Sequence, residues 1–202
     1  PKFPPCIRLE FLLESLQREP DERALEIVRH TLVAMARGGI YDQVGGGFHR
    51  YATDAQWQIP HFEKMLYNQA HLSHLYLKAY RATGEESWKR VAEDIFRFVA
   101  RELTDPEGGF YSALDAETEA VEGQYYLWTE ETIGEILGDE AEMFFEVYDL
   151  AAMPEGEDEV LFMPQLLEEV AADLEVGLPL LQQQVEGWRS HLLKERAKRL
   201  YP

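Results

Sequence analysis

A single cysteine, a shortage of basic residues and the lack of any long apolar run mark this 202-residue chain. Cys6 by itself excludes an internal disulfide framework, a CxxC redox pair and a four-cysteine zinc site. Only Lys2 and Arg8 stand near it as cations and no His flanks it, so a passive thiol is expected rather than a reactive one. No apolar stretch approaches the ~18 residues that cross a bilayer. No signal peptide opens the chain either, and a cytoplasmic location is expected. Lys and Arg number 19 against 38 Asp and Glu, a net charge of −19. A surface this acidic repels phosphate backbones and anionic head groups, so neither nucleic acid nor a membrane is an expected partner.

What is present is ample material for a core, with 46% apolar residues rich in Leu, Phe and Tyr. The length suits one large domain or two small ones, and a single helical domain over residues 1–202 is expected. The chain opens on Pro1-Lys2-Phe3-Pro4 rather than Met and ends at Leu200-Tyr201-Pro202 after a strong helix, so a segment of a longer protein is expected.

Apolar residues recur at helical spacing along most of the chain. Ala24, Ile27, Val28, Thr31, Leu32 and Met35 form one stripe, with Pro20-Asp21 as start signal and Gly38-Gly39 as stop. Leu72, Leu75, Tyr76, Ala79 and Tyr80 form a second; Trp88, Val91, Ala92, Ile95, Phe96, Val99 and Leu103 form a third, broken from it at Thr83-Gly84. Thr129 caps a short helix bearing Ile133, Ile136 and Leu137, and Asp139 with Glu142 suggests a capping box for the next. A last long helix carries Leu181, Val185, Trp188, Leu192 and Leu200. Residues 151–159 read as an exposed acidic loop rather than a domain boundary.

Between the helices the texture changes. The stretch from Gly38 to Tyr67 crowds three adjacent glycines, two histidines, Arg50, Asp42, Asp54, Glu63 and Trp57 between amphipathic helices, where packing alone explains little. It and the stretch from Gly108 to Trp128 both begin Gly-Gly-apolar-Tyr and both suggest hairpins with aromatic arms and glycine turns. A repeat of helix, hairpin and helix is expected, with both hairpins opening on one face.

The strings PKFP, GGIYDQVGGGFHRYATDAQW, PHFEKMLY, GGFYSALDAETE and EGQYYLWT resemble, in order, the spermatogenesis-associated, thioredoxin-domain-containing family. The resemblance implies a segment following a thioredoxin-like domain and belonging to a helical toroid like that of the six-hairpin glycosidases and N-acylglucosamine 2-epimerases. The fold it implies is all-α, a partial (α/α)6 toroid with short β-hairpins between helices. The chain departs from the family at Asn68-Gln69-Ala70-His71, usually Asp-Asn-Ala-Gln, and at Glu159-Val160-Leu161-Phe162, where the family often has Asn-x-Leu-His.

Toroids of this kind host both glycoside hydrolysis, suited to paired carboxylates, and proton transfer beside a sugar carbonyl, suited to a His pair with a carboxylate. The candidate catalytic set is His61, Glu63, His49 and Asp115. His61 and Glu63 follow Pro60, which is expected to lead into a helix, so their bland reading is helix capping. His49 and Arg50 alternate on a strand, so at most one faces a cavity. Arg50 is the candidate substrate clamp, or else an ion pair with Asp42 or Asp54. Asp115 is as much a turn residue as a site residue. Tyr41, Asp42, Trp57, Tyr125 and Trp128 complete the substrate-binding candidates, aromatic faces being suited to sugar C–H faces and equally to core. Neither His61 with Glu63 nor His71 with His74 has metal-ligand spacing, and no metal or cofactor is expected. The expected activity is sugar epimerase- or isomerase-like chemistry, or sugar binding. The alternative is a non-catalytic scaffold serving a thioredoxin-like domain. A sugar or small polar ligand is the expected partner, together with self-association through uncovered helix faces.

Overall fold

The computed structural model describes residues 1–154 and 158–202. Helix α1 (Cys6–Leu16) buries Cys6, Leu9 and Leu13. It starts directly behind Pro4-Pro5 with no side-chain cap, and none of the stripes above signals it. Helix α2 (Glu22–Arg37) is capped by Asp21, whose carboxylate accepts from the Ala24 amide, and it stops at Gly38. Its buried stripe is Ala24, Val28, Leu32 and Met35. Ile27 lies one residue, about 100° of helical turn, off that line and is 46% exposed.

The next stretch forms three two-residue strands: β1 (Tyr51–Ala52), β2 (Pro60–His61) and β3 (Lys64–Met65). Strand β1 pairs antiparallel with β2, Tyr51 opposite His61. Pro60 therefore leads into a strand rather than a helix. Helix α3 (Leu66–Thr83) begins six residues after Pro60, with Met65 at its cap, so His61 and Glu63 do not sit at a helix start. A left-handed Gly84 (φ +75°) ends α3 and turns the chain into α4 (Glu86–Glu102). Phe98 takes the buried place on α4 that the stripe assigns to Phe96, which is 50% exposed.

Strand β4 (Ala113–Leu114) pairs with β3, and β5 (Glu117–Thr118) turns into β6 (Val121–Glu122). That turn uses Glu119 and Ala120, both at positive φ, rather than a glycine pair. Helix α5 (Glu130–Leu137) is capped by Thr129. A 3-10 turn (Gly138–Glu140) then feeds α6 (Ala141–Val147) with no side-chain cap, so the Asp139–Glu142 capping box does not form. Strands β7 (Asp149–Ala152) and β8 (Glu159–Phe162) pair as a hairpin that takes in only the ends of the acidic loop expected over residues 151–159; residues 155–157 lie outside the described ones. Helices α7 (Leu167–Asp173) and α8 (Leu178–Arg196) complete the chain, and Leu200 lies beyond α8, exposed.

The architecture is mostly helical with short antiparallel strand pairs, as the sequence suggests. Helix α1 packs on α2 and α3, α3 on α4, and α8 on α5 and α7. One core gathers α1 to α4 with Tyr41, Phe48 and Trp57; a second gathers α5 to α8 with Trp128 and Leu161. Tyr41 belongs to the first core and Val44, three residues on, to the second. The glycine-rich loop between residues 41 and 48 thus lies on the seam.

The two Gly-Gly segments are not structural equivalents. A Cβ on Gly38 would come within 2.3 Å of the Trp57 carbonyl oxygen, whereas Gly108 and Gly109 have open space and positive φ. Tyr41 is buried while Tyr111 is 46% exposed. The first pair allows close packing and the second makes a surface turn.

Candidate functional site

The polar residues of the Gly38–Tyr67 stretch separate into a sealed cluster and an open one. Strand alternation over residues 61–64 makes the division: His61 and Glu63 point outward, Phe62 and Lys64 inward. Just before β1, His49 is buried and Arg50 is partly exposed.

Asp42 is the centre of the sealed cluster. Its Oδ1 accepts from the Val44 and Gly45 amides (3.1 and 2.9 Å) and from Arg196 (2.8 Å). Its Oδ2 accepts from Lys64 Nζ (2.7 Å) and from the second Arg196 nitrogen (2.8 Å). Burial pushes the Asp42 carboxyl upward, but Arg196 and then Lys64 outweigh it and hold it well below the usual carboxylate range. Lys64, fully buried, is lowered to about 8 by desolvation, against the pull of Asp42. Lys64 also donates to the Gly46 carbonyl (3.0 Å) and lies 4.3 Å from the centre of the Phe98 ring. His49 contacts the Phe62 carbonyl through Nδ1 (2.8 Å) and meets Tyr126 edge to face. Desolvation, reinforced by Lys64, lowers it to about 3, so the ring is neutral. This cluster joins the glycine-rich loop, β3 and the end of α8, and it is closed to solvent.

The open cluster lies on the other side of the same strands. Arg50 donates to Glu63 (2.7 Å), and hydrogen bonds to Glu63 and Tyr67 raise its pKa. His61 Nδ1 lies 2.7 Å from Glu122 Oε1, and its Nε2 lies 3.7 Å from Glu63 Oε2. With a carboxylate as the Nδ1 partner, the neutral ring carries its proton on Nδ1 and leaves Nε2 as the base. Tyr51 stacks on the His61 ring at 4.8 Å, and Phe3 packs on Tyr51 at 4.9 Å. Asn68 donates to the Arg50 carbonyl (3.0 Å). Phe3, Tyr67, Asn68 and His71 line a neighbouring cleft of about 540 Å³.

The remaining candidates lie apart from His61. Asp115 is exposed and accepts from the Glu117 amide (3.1 Å), the turn role. Arg50 pairs with Glu63 rather than with Asp42 or Asp54; Asp54 instead accepts from the Gln58 and Ile59 amides. Tyr41 donates to Asp94 (2.6 Å) inside the protein. Trp57 is buried beneath Lys2, whose ammonium lies 3.9 Å from its ring centre. Tyr125 and Trp128 line a separate cleft of about 270 Å³ with Thr118 and Arg199, and Arg199 covers Trp128 at 4.0 Å.

Glu122, Lys64 and Arg196 are the members that sequence reasoning missed. Alternation from Phe62 signals the inward Lys64; nothing local signals Arg196, an ordinary basic residue in the last helical turn. Cys6 is buried and its thiol raised to about 12, first by desolvation and then by Glu10, in keeping with a passive thiol. Among the described residues no group of three or more His, Cys, Asp or Glu gathers to hold a metal ion, and no helix is long and apolar enough to cross a membrane.

Fold and site together define a mostly helical protein with a half-open His–carboxylate–Arg network mounted on short strand pairs. No protein-family model matches the chain. Spermatogenesis-associated protein 20 of mouse is 46% identical over 147 residues, covering 68% of this chain, and the human protein matches at the same identity and coverage. An uncharacterised Caenorhabditis elegans protein is 35% identical over 165 residues, 75% of the chain. The chain is thus a homologue of the spermatogenesis-associated proteins, the family its motifs resemble. It spans about a fifth of the length of these relatives, 19% of the mouse protein. A crystal structure of D-mannose isomerase matches 56% of the chain and 30% of its own, with a TM-score of 0.49 and 21% identity.

Proposed function

We propose that the Arg50–Glu63–His61–Glu122 network is a sugar-binding site with acid/base capability of the epimerase or isomerase kind. The observation that carries this reading is the setting of His61. One carboxylate contacts its Nδ1, a second stands near its Nε2, and the Tyr51 face covers the ring, with Phe3 of the neighbouring cleft packed on Tyr51. Nε2 takes the proton from C2 beside a sugar's C1 carbonyl and returns it to C1 of the enediol, while the C2 hydroxyl proton passes to O1. Glu122 orients the ring, Arg50 holds substrate hydroxyls, and Tyr51 or Tyr67 stacks on the sugar's C–H face. The proposed setting is carbohydrate metabolism in the cytoplasm, within a longer chain of toroid type.

Non-catalytic sugar binding is the second reading, and one observation favours it. His49 is sealed and Asp115 serves a surface turn, so two of the four acid/base candidates stand away from His61. One experiment separates the two. The chain is incubated in deuterated water with mannose, glucose and N-acetylglucosamine, and deuterium entering at C2 is followed by NMR. Exchange that His61→Ala abolishes supports catalysis, and saturable binding without exchange supports the second reading. Neither binding nor exchange with any of the three sugars would overturn both.

A further inference from the structure

A further cleft, of about 210 Å³, opens between α2, α4 and α8. Arg37, Arg90, Arg97 and Arg189 border it, with Asp94, Glu168 and Glu186 as the carboxylates. This leaves one positive charge in excess, on a chain whose net charge is −19. Such a local inversion of sign attracts anions to one place.

The cations are unequally neutralised. Asp94 receives Tyr41 (2.6 Å), Arg97 and Arg189 (3.0 Å), and these partners keep its carboxyl ionised despite burial. Arg189 is largely buried, and its Nε has no hydrogen-bond partner among the described residues. Among the described residues Arg90 meets a carboxylate only at 3.8 Å, in Glu168. Otherwise it meets the Gln182 amide, which accepts from both guanidinium nitrogens (3.0 and 3.2 Å) once its oxygen is turned toward them. A planar fork held by a neutral amide is ready to exchange that partner for a carboxylate.

Ala36, Val91, Met163, Leu167 and Val185 add apolar wall, beside the polar Gln43 and Ser87. At ~30 Å³ of liquid volume per water, the cleft of about 210 Å³ has room for about seven heavy atoms. We propose that this cleft is a binding site for a small carboxylic acid with a short apolar body, its carboxylate forked by Arg90 and Arg189 and its body against Val91 and Val185. The site is separate from the His61 network and independent of the function proposed there.

Isobutyrate is the probe and its uncharged amide, isobutyramide, the control, both titrated into the 15N-labelled chain. The expected result is saturable shifts centred on the amides of Val91, Gln182 and Arg189 with isobutyrate, and none there with isobutyramide. Arg90→Gln, at a half-exposed side chain that leaves the fold intact, weakens isobutyrate about tenfold, as expected for a lost charged hydrogen bond. Arg90→Lys recovers only part of the affinity, and His61→Ala leaves it unchanged. Equal response to the amide, shifts centred instead on His61 and Arg50, or an unaltered affinity in Arg90→Gln would each overturn the proposal.

Discussion

Arg196 closes on Asp42 with both of its terminal nitrogens, each at 2.8 Å, across 154 positions of sequence. The pair is sealed from solvent and shared with Lys64. It fixes the glycine-rich loop, where the two apolar cores meet, to the last helix.

Arg196→Ala strands Asp42 with one buried cation instead of two and leaves the guanidinium space empty. Loss of one partner of a buried ion pair costs about 3–5 kcal/mol. Urea unfolding of the variant should give a loss in that range. A loss below about 1 kcal/mol would mean that Lys64 alone satisfies Asp42. Arg196→Lys keeps the charge but not the two-nitrogen fork, and should fall between the two.

His49 gives a pH signature. Its pKa is about 3 in the folded chain against 6.5 in the unfolded one, so the unfolded state binds the extra proton between those values. Stability therefore falls as pH drops from 6.5 toward 3, by at most about 1.4 kcal/mol per unit. Asp42 and Asp94, both depressed, add their losses only as pH falls through and below the normal carboxylate range. His49→Gln should flatten the slope between pH 6.5 and 4.5 while leaving the steeper fall below. An unchanged slope would mean that His49 is reached by water.

The two Gly-Gly segments should respond differently to alanine. Gly38→Ala drives a methyl into the Trp57 carbonyl, which belongs to the strand-linked backbone and has little freedom to retreat. Overpacking of that kind costs about 1–3 kcal/mol, and the upper end is expected. Gly108→Ala meets nothing within 4 Å and carries only the strain of a positive φ, about 1 kcal/mol. Thermal unfolding of the two variants side by side tests the ranking, and reversal of the order would contradict it.

The outer face of α1 is where self-association is expected. Ile7 and Phe11 stand one turn apart, 75% and 69% exposed. Sedimentation velocity over a tenfold range of concentration should show reversible growth in mass, and Phe11→Glu should remove it. A single monomeric species at every concentration would leave this face without that role.

The Gly38–Tyr67 stretch shows how far sequence reading reaches. That reading separates His49 from Arg50, one buried and one partly exposed, although strand β1 begins only at Tyr51. It fails at Pro60, since a proline that suits the first turn of a helix also suits a short strand lacking one amide donor. The matching Gly-Gly-apolar-Tyr strings mislead for a related reason. Glycine is used at Gly38 for close approach and at Gly108 for backbone conformation, and the letter is the same for both. Asp42 follows the first Gly-Gly pair and Asp115 the second, yet Asp115 is exposed in a turn and Asp42 carries two buried cations.

The sequence by itself determined the helices from α2 onward with strong apolar periodicity, the caps at Asp21 and Thr129, and the passive surroundings of Cys6. Each follows from neighbours within a few residues, where backbone geometry fixes what can touch. Only the tertiary structure decided that Lys64 and Arg196 meet at Asp42, that Glu122 comes to His61, and that four arginines border one cleft. Those groupings depend on which element docks against which, and local periodicity says which face a residue occupies without saying what will cover it.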